Sequence, residues 1–362
     1  MKASLFCNSQ YIGSAPNDVW PLSGKYFDAE AGMHSMRTVL DQFKLADELG
    51  FDWLAVAEHH YSPFSLCPNP MLMAAAVSQV TSRAKIAVLG PTIPILNPVR
   101  VAEELAMVDL LSGGRLVAGL MRGTANEYVT YNHNPGESRE RFAESLKLIR
   151  RCWSENEPFG WAGRYYDYRT ISIWPRPVQR PSPPIYISAS SPESGEFAAQ
   201  NEIGVGFAFT TIPHAKKAAE HYRSCARTAG WEPTSDQIIY RALYHLADTD
   251  EEAFAGMATL PPRVSLASQN KGVFEGARKA GYFGTDFTGQ TTRNATRELN
   301  ERIELGQVIV GSPETALKQI RRIRDQVGAG IIDFVVGVQL GDKTMRSIEL
   351  LGTKVLPVMR EL

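Results

Sequence analysis

The stretch "MRTVLDQFKLADELGFDWLAVAEHH" (36–60) joins a helix signal to a strand signal through one glycine. From Met36 apolar residues recur at helical spacing, and Gly50 suits the left-handed position that ends a helix. "FDWLAVAE" (51–58) then reads as a buried strand. A helix feeding directly into such a strand is the unit of a parallel sheet covered by helices.

The unit recurs on both sides. "ASLFCN" (3–8) is strand-like and comes first. Downstream, helical "PMLMAAAVSQVTS" (70–82) precedes the strand "KIAVLG" (85–90), and helical "PVRVAEELAMVDLLSGG" (98–114) precedes "RLVAGLM" (115–121). A helix over 138–155 follows, then an aromatic- and Pro-rich section from Pro158 to Pro184 that reads as a hairpin excursion. Strands at 184–190, 204–209, 237–247 and 331–338 alternate with helices at 192–204, 213–230, 312–330 and 342–360. Eight strand–helix pairs in 362 residues predict a (β/α)8 TIM barrel, an α/β fold, as one domain over 1–362. A long polar, Gly-rich insertion at 256–305, before the last strand, reads as a lid or a disordered segment.

Composition excludes several function classes. Hydrophobic residues make up 44% of the chain, enough for a sizeable core, and a net charge of −1 gives no drive toward nucleic acid or anionic membrane. The four cysteines, Cys7, Cys67, Cys152 and Cys225, are scattered without a C-x-x-C pair. Neither a disulfide framework nor a zinc knuckle is expected, and a reduced, cytoplasmic protein is. The apolar run in "MKASLFCNSQ" is too short for a signal peptide, and no stretch is long enough to span a bilayer.

In such a barrel, functional groups gather at the carboxyl ends of the strands. The second strand ends in Glu58-His59-His60, the fourth in "MRGTANEY" with Arg122 and Gly123, and the fifth in "SASSPES" with Ser188, Ser190 and Ser191. An arginine, a glycine for close approach and serines at a helix start suit a phosphate. The same serines also read as a plain N-cap with Glu193 in the first turn, and the residues alone leave both readings open.

Strand alternation puts Trp53, Ala55, Ala57 and His59 on one face of "WLAVAEHH" and Leu54, Val56, Glu58 and His60 on the other. The alanines suit a face beside a cavity, so His59 is expected to point into the barrel mouth and His60 away from it. Adjacent histidines on a strand diverge, and no His-x-His pair occurs, so no metal site is expected.

These same residues carry a resemblance. "ADELGFDWLAVAEHH", "NPVRVAEELAMVDLLSGGRLVAGLMRG", "PIYISASSPESGEFAAQ" and "VGSPETALKQI" with "GIIDFVVG" look like signature stretches of the bacterial luciferase-like flavin-dependent monooxygenases, in order over nearly the whole chain. The resemblance implies a (β/α)8 barrel, usually a homodimer, that binds reduced FMN (FMNH2) delivered by an NAD(P)H-dependent flavin reductase. The flavin then reacts with O2 to a C4a-(hydro)peroxide that oxygenates a small organic substrate. His59 matches the family's active-site histidine, and a histidine is a suitable acid–base group. Arg122 matches the arginine on the flavin phosphate, with Ser190 and Ser191 on the phosphate loop. Leu89 and Gly90 fall where the family has a non-proline cis peptide beneath the flavin ring. Tyr128 is an aromatic available to the same pocket, as are Tyr11, Trp20, Phe64 and Trp174. The insertion at 256–305 falls where luciferase has a mobile loop over the active site, and excluding solvent is a chemical need of such a site. A deazaflavin-dependent oxidoreductase on the same barrel, a non-catalytic flavin-binding subunit and a metal-dependent barrel hydrolase are the competing readings.

Overall fold

The structure, a computed structural model, describes residues 1–258, 271–282, 297–336 and 341–362. Its strands are β1 (Lys2–Cys7), β2 (Trp53–Val56), β3 (Lys85–Thr92), β4 (Leu116–Met121), β5 (Phe159–Ala162), β6 (Asp167–Ile171), β7 (Ile185–Ser188), β8 (Gly204–Ala208), β9 (Ile238–Leu246), β10 (Val308–Gly311) and β11 (Ile331–Val336). β5 and β6 form a separate antiparallel hairpin, which is the excursion expected over 158–184. The parallel sheet runs β9-β11-β1-β2-β3-β4-β7-β8, and β8 returns to β9 to close an eight-stranded barrel.

Around it lie α1 (Ala29–Leu49), α2 (Pro70–Val80), α3 (Pro98–Leu111), α4 (Ala125–Thr130), α5 (Ser138–Ser154), α6 (Pro192–Gln200), α7 (Ile212–Thr228) and α8 (Asp250–Ala258). Their ends are written in the sequence. Asp28 accepts the Ala31 N–H at 2.8 Å to start α1, and Gly50 at φ 91° stops it. Asn69 and Asn97 cap α2 and α3, each followed by Pro at the first helical position, where the missing N–H costs nothing.

Alternation along the strands divides the core in two. Leu54, Val56, Ile86 and Val88 face outward and pack under the helices. Phe6, Trp53, Ala55, Ala57, Ala87, Leu89, Val117, Tyr186 and Val335 face inward. The inward residues along β2 and just past it, and on β3, are mostly small: Ala55, Ala57 and Ala87.

One strand lies outside the expected eight. β9 is nine residues long against five in β8, so β8 covers only its lower edge, from Ile238 to Arg241. β10 takes over the upper edge, pairing Val308–Gly311 with Leu243–Leu246. The insertion at 256–305 therefore runs into β10, and a helix (Pro313–Val327) separates it from the last barrel strand. Of the insertion, the helices Lys271–Lys279 and Leu299–Glu304 are described; 259–270 and 283–296 lie outside the described residues. Ala277 and Tyr282 pack with Ile95, Ala125 and Tyr128, which fixes this part of the insertion over the β3–β4 side of the mouth.

Among the described residues no helix is long and apolar enough to cross a membrane, and no group of three His, Cys, Asp or Glu side chains is arranged to hold a metal ion.

Candidate active site

β2 and β4 deliver the first pair of functional groups. After β4 the chain turns at Gly123, where φ is +84° and a Cβ would sit 2.4 Å from Thr92 Cγ2. Glycine is required there on both counts. Thr124 then caps α4, and the third helical residue, Glu127, turns its carboxylate back to the Thr124 N–H at 2.8 Å and to the Thr124 hydroxyl. The other oxygen of Glu127 lies 3.2 Å from His59 Nδ1. Glu127 is buried, while His59 keeps 21% of its side chain exposed, against the Phe64 ring at 5.2 Å. Burial pushes the Glu127 carboxyl up, but the hydrogen bonds and charge of His59 and the Thr124 donors outweigh it and hold the group below the usual carboxylate range. An ionised carboxylate can only accept, so Nδ1 carries the proton and Nε2 is left for chemistry.

The next histidine finds a different partner. His60 and Glu58 are buried, with His60 Nε2 3.2 Å from Glu58 Oε1. The second Glu58 oxygen accepts the Thr92 N–H at 3.2 Å. Trp20 donates to the His60 carbonyl at 2.9 Å, and the Tyr131 ring stands edge-on to the imidazole at 5.2 Å. β3 passes so close that a Cβ on Gly90 would lie 2.6 Å from Ala57 Cα and Glu58 N. Gly90 thus serves the approach of two strands. The non-proline cis bond implied at Leu89–Gly90 is not found: cis peptides among the described residues precede Pro21, Pro175 and Pro181. Leu89 packs inward in the barrel layer.

The second group is basic. Arg122, just past β4, donates to the Tyr282 carbonyl at 2.8 Å and to Ser138 Oγ at 3.3 Å, with its guanidinium 4.1 Å from the Tyr282 ring centre. Tyr128 is almost fully buried, and its hydroxyl donates to the Arg122 carbonyl at 2.6 Å, which places it behind Arg122 as a support. Arg139, at the start of α5, joins Arg122 there. Burial and then the neighbouring Arg122 charge lower its proton affinity, partly offset by Glu193, 3.9 Å away at the start of α6. Two guanidinium groups thus face one carboxylate.

Ser191 is the N-cap of α6: its hydroxyl accepts the Ser194 N–H at 3.3 Å, and its own N–H donates to Ser194 Oγ at 3.1 Å. Ser191 therefore serves as the N-cap, with its hydroxyl engaged in the helix start. Ser190 is exposed, with its carbonyl 3.1 Å from His214 Nε2. Trp174 is 86% exposed, just past the β5–β6 hairpin.

Glu127, Arg139 and Tyr282 were not predicted. For Glu127 a signal existed: T-x-x-E directly after a strand is a capping box, which turns the Glu back toward the strand end. Arg139 and Tyr282 reach the site through contacts between elements distant in sequence, which no local pattern encodes.

The carboxyl rim of the barrel thus brings together a carboxylate-supported histidine, His59, and two arginines, Arg122 and Arg139. Residues 12–330 match the model of the luciferase-like monooxygenases, and the chain belongs to that family. It is 24% identical over 341 residues to the alkanal monooxygenase alpha chain of Photorhabdus luminescens, covering 90% of this chain and 92% of that one. It is 26% identical over 220 residues to the oxygenase component of a flavin-dependent trigonelline monooxygenase of Acinetobacter baylyi, a match that spans 59% of this chain and 60% of the relative. An F420-dependent glucose-6-phosphate dehydrogenase of Amycolatopsis mediterranei is 34% identical over 200 residues, 51% of this chain and 56% of that one. Among solved structures, a monooxygenase of Streptomyces bottropensis superposes with a TM-score of 0.75 at 25% identity over 99% of both chains.

Proposed function

We propose that the chain is the oxygenase component of a two-component, FMNH2-dependent monooxygenase acting on a small organic substrate. Bound reduced flavin would supply the activation of O2. The observation that carries the reading is the pair Arg122–Arg139 beside the His59–Glu127 dyad at one barrel mouth. Two cations sharing one carboxylate leave positive charge that a phosphate dianion satisfies, and Arg binds phosphate through a planar fork. Ser190 offers its exposed hydroxyl on the same rim. Ala55, Ala57, Ala87 and Leu89 give the inward face below the rim an apolar lining for a flavin ring. His59, held by Glu127 at Nδ1, moves a proton at Nε2 to or from the reacting oxygen. The insertion at 256–305, anchored through Tyr282 on Arg122, serves as the lid that keeps water away.

No strand–G-x-G-x-x-G–helix stretch occurs in the sequence. We therefore assign NAD(P)H to a separate flavin reductase that delivers FMNH2. The homodimer reading draws support from the outer face of α2 and α3, where Leu72, Met107, Leu110 and Leu111 are all exposed. Exposed apolar side chains on neighbouring helices suit burial against a second copy. The F420-dependent relative keeps one second reading alive, a deazaflavin enzyme that moves hydride without oxygen. Single turnover of FMNH2-loaded protein with 18O2 over a panel of organic compounds tests the first reading. One 18O atom in the product supports it, and product free of 18O contradicts it.

A further inference from the structure

The inward face of β9 carries Arg241 between the apolar Ile239 and Leu243. Arg241 Nε donates to Asp333 Oδ2 at 2.6 Å, and the guanidinium lies 3.8 Å from the Phe6 ring centre. Asp333 is completely buried on β11 in register with Arg241, while 14% of the Arg241 side chain reaches open space. Among the described residues the terminal nitrogens of Arg241 have no hydrogen-bond acceptor. Asp333 Oδ1 and the Ser4 hydroxyl, neighbours in register, are buried without partners as well.

Stability does not account for this pair, because buried ion pairs are commonly replaced by packed apolar side chains without loss. What the pair provides is an Arg held by its Nε, with its terminal N–H donors left over and part of the side chain exposed. Its net charge is zero. A fully anionic ligand would leave the buried cluster negative, whereas an uncharged carbonyl oxygen satisfies the donors and adds no charge. We propose that Arg241, oriented by Asp333, selects substrates by hydrogen-bonding an uncharged carbonyl oxygen from inside the barrel. The proposal rests on the reading of this mouth as the active site. Discrimination of this kind arises because a ligand without the oxygen leaves buried donors unpaired.

The test is a fluorescence titration of the flavin-free, full-length protein, with Trp53 of the inward layer as reporter. The probes are 2-decanone and 1-decene, of equal chain length with and without the carbonyl. The wild type is expected to prefer the ketone by about 10-fold, the worth of one good hydrogen bond. Arg241→Met abolishes that preference without changing FMN affinity, and Arg241→Lys restores part of it. The double variant Arg241→Met/Asp333→Leu removes both charges together, so it avoids a stranded carboxylate, and it loses the preference too. A wild type with no preference overturns the proposal, as does a double variant that keeps it. Loss of FMN affinity with the ketone preference intact also overturns it, and places the donors on the flavin. Ketone binding is measured without flavin, so its failure is distinct from failure of the flavin reading.

Discussion

The imidazole of His59 and the carboxylate of Glu127 meet 3.2 Å apart, one from the end of β2 and the other from the first turn after β4. The contact fixes the ring and its tautomer. Glu127→Gln keeps the shape but replaces an obligatory acceptor with an amide. Turnover should fall by about 10²–10⁴-fold, the contribution of a positioned acid–base group. Stability supplies an independent readout. The Glu127 carboxyl lies below its ordinary value when folded, so its contribution is present above the unfolded carboxyl range and fades as pH falls through the folded value. The melting-temperature gap between wild type and Glu127→Gln should therefore be widest near pH 7 and close below about pH 4. A gap independent of pH would show that the carboxylate charge has no part in holding His59.

His60 and Glu58 should behave differently, since both are buried behind β2 and bonded to each other. His60→Ala leaves Glu58 short of a partner and opens a cavity beside Tyr131. Stability should drop by about 1–3 kcal/mol in denaturant titrations, with a modest change in rate. A catalytic null at unchanged stability would move the acid–base role from His59 to His60.

Glu193 faces both arginines from α6, so a phosphate held there as proposed would compete with it. Glu193→Gln should tighten FMN binding by about 0.2–1 kcal/mol, the scale of a half-exposed pair, and leave riboflavin unaffected. Arg139→Ala should weaken FMN binding selectively. Parallel changes for both flavins in calorimetric titrations would place these residues away from the phosphate.

The purified protein with added FMN should oxidise NADH only slowly, and activity should appear when a flavin reductase is supplied. NADH oxidation at the turnover rate by the protein alone would rule out the two-component reading.

The sequence made the barrel and the facing of the two histidines legible because both rest on local periodicity. β2 itself ends at Val56, but beyond it Glu58 and His60 still find each other while His59 meets another element. β10 escaped because "VIVG" is four residues long and stands on the unpaired upper edge of β9, a need visible only once β8 and β9 are aligned. Arg139 and Tyr282 escaped for the same kind of reason, being brought to Arg122 by packing alone. Gly90 was placed at the right strand end with a different duty, since its missing side chain lets β3 pass the Ala57–Glu58 backbone.

The central claim is that this mouth holds reduced FMN through its phosphate, and anaerobic titration tests it most directly. Wild type and Arg122→Ala would each be titrated with FMNH2, reduced riboflavin and the reduced deazaflavin F420. The wild type should bind FMNH2 most tightly. Arg122→Ala should lose about 1.5–3 kcal/mol for FMNH2, as for a charge-assisted hydrogen bond, and almost nothing for reduced riboflavin. Equal losses for the two flavins, or tighter wild-type binding of F420 than of FMNH2, would contradict the account.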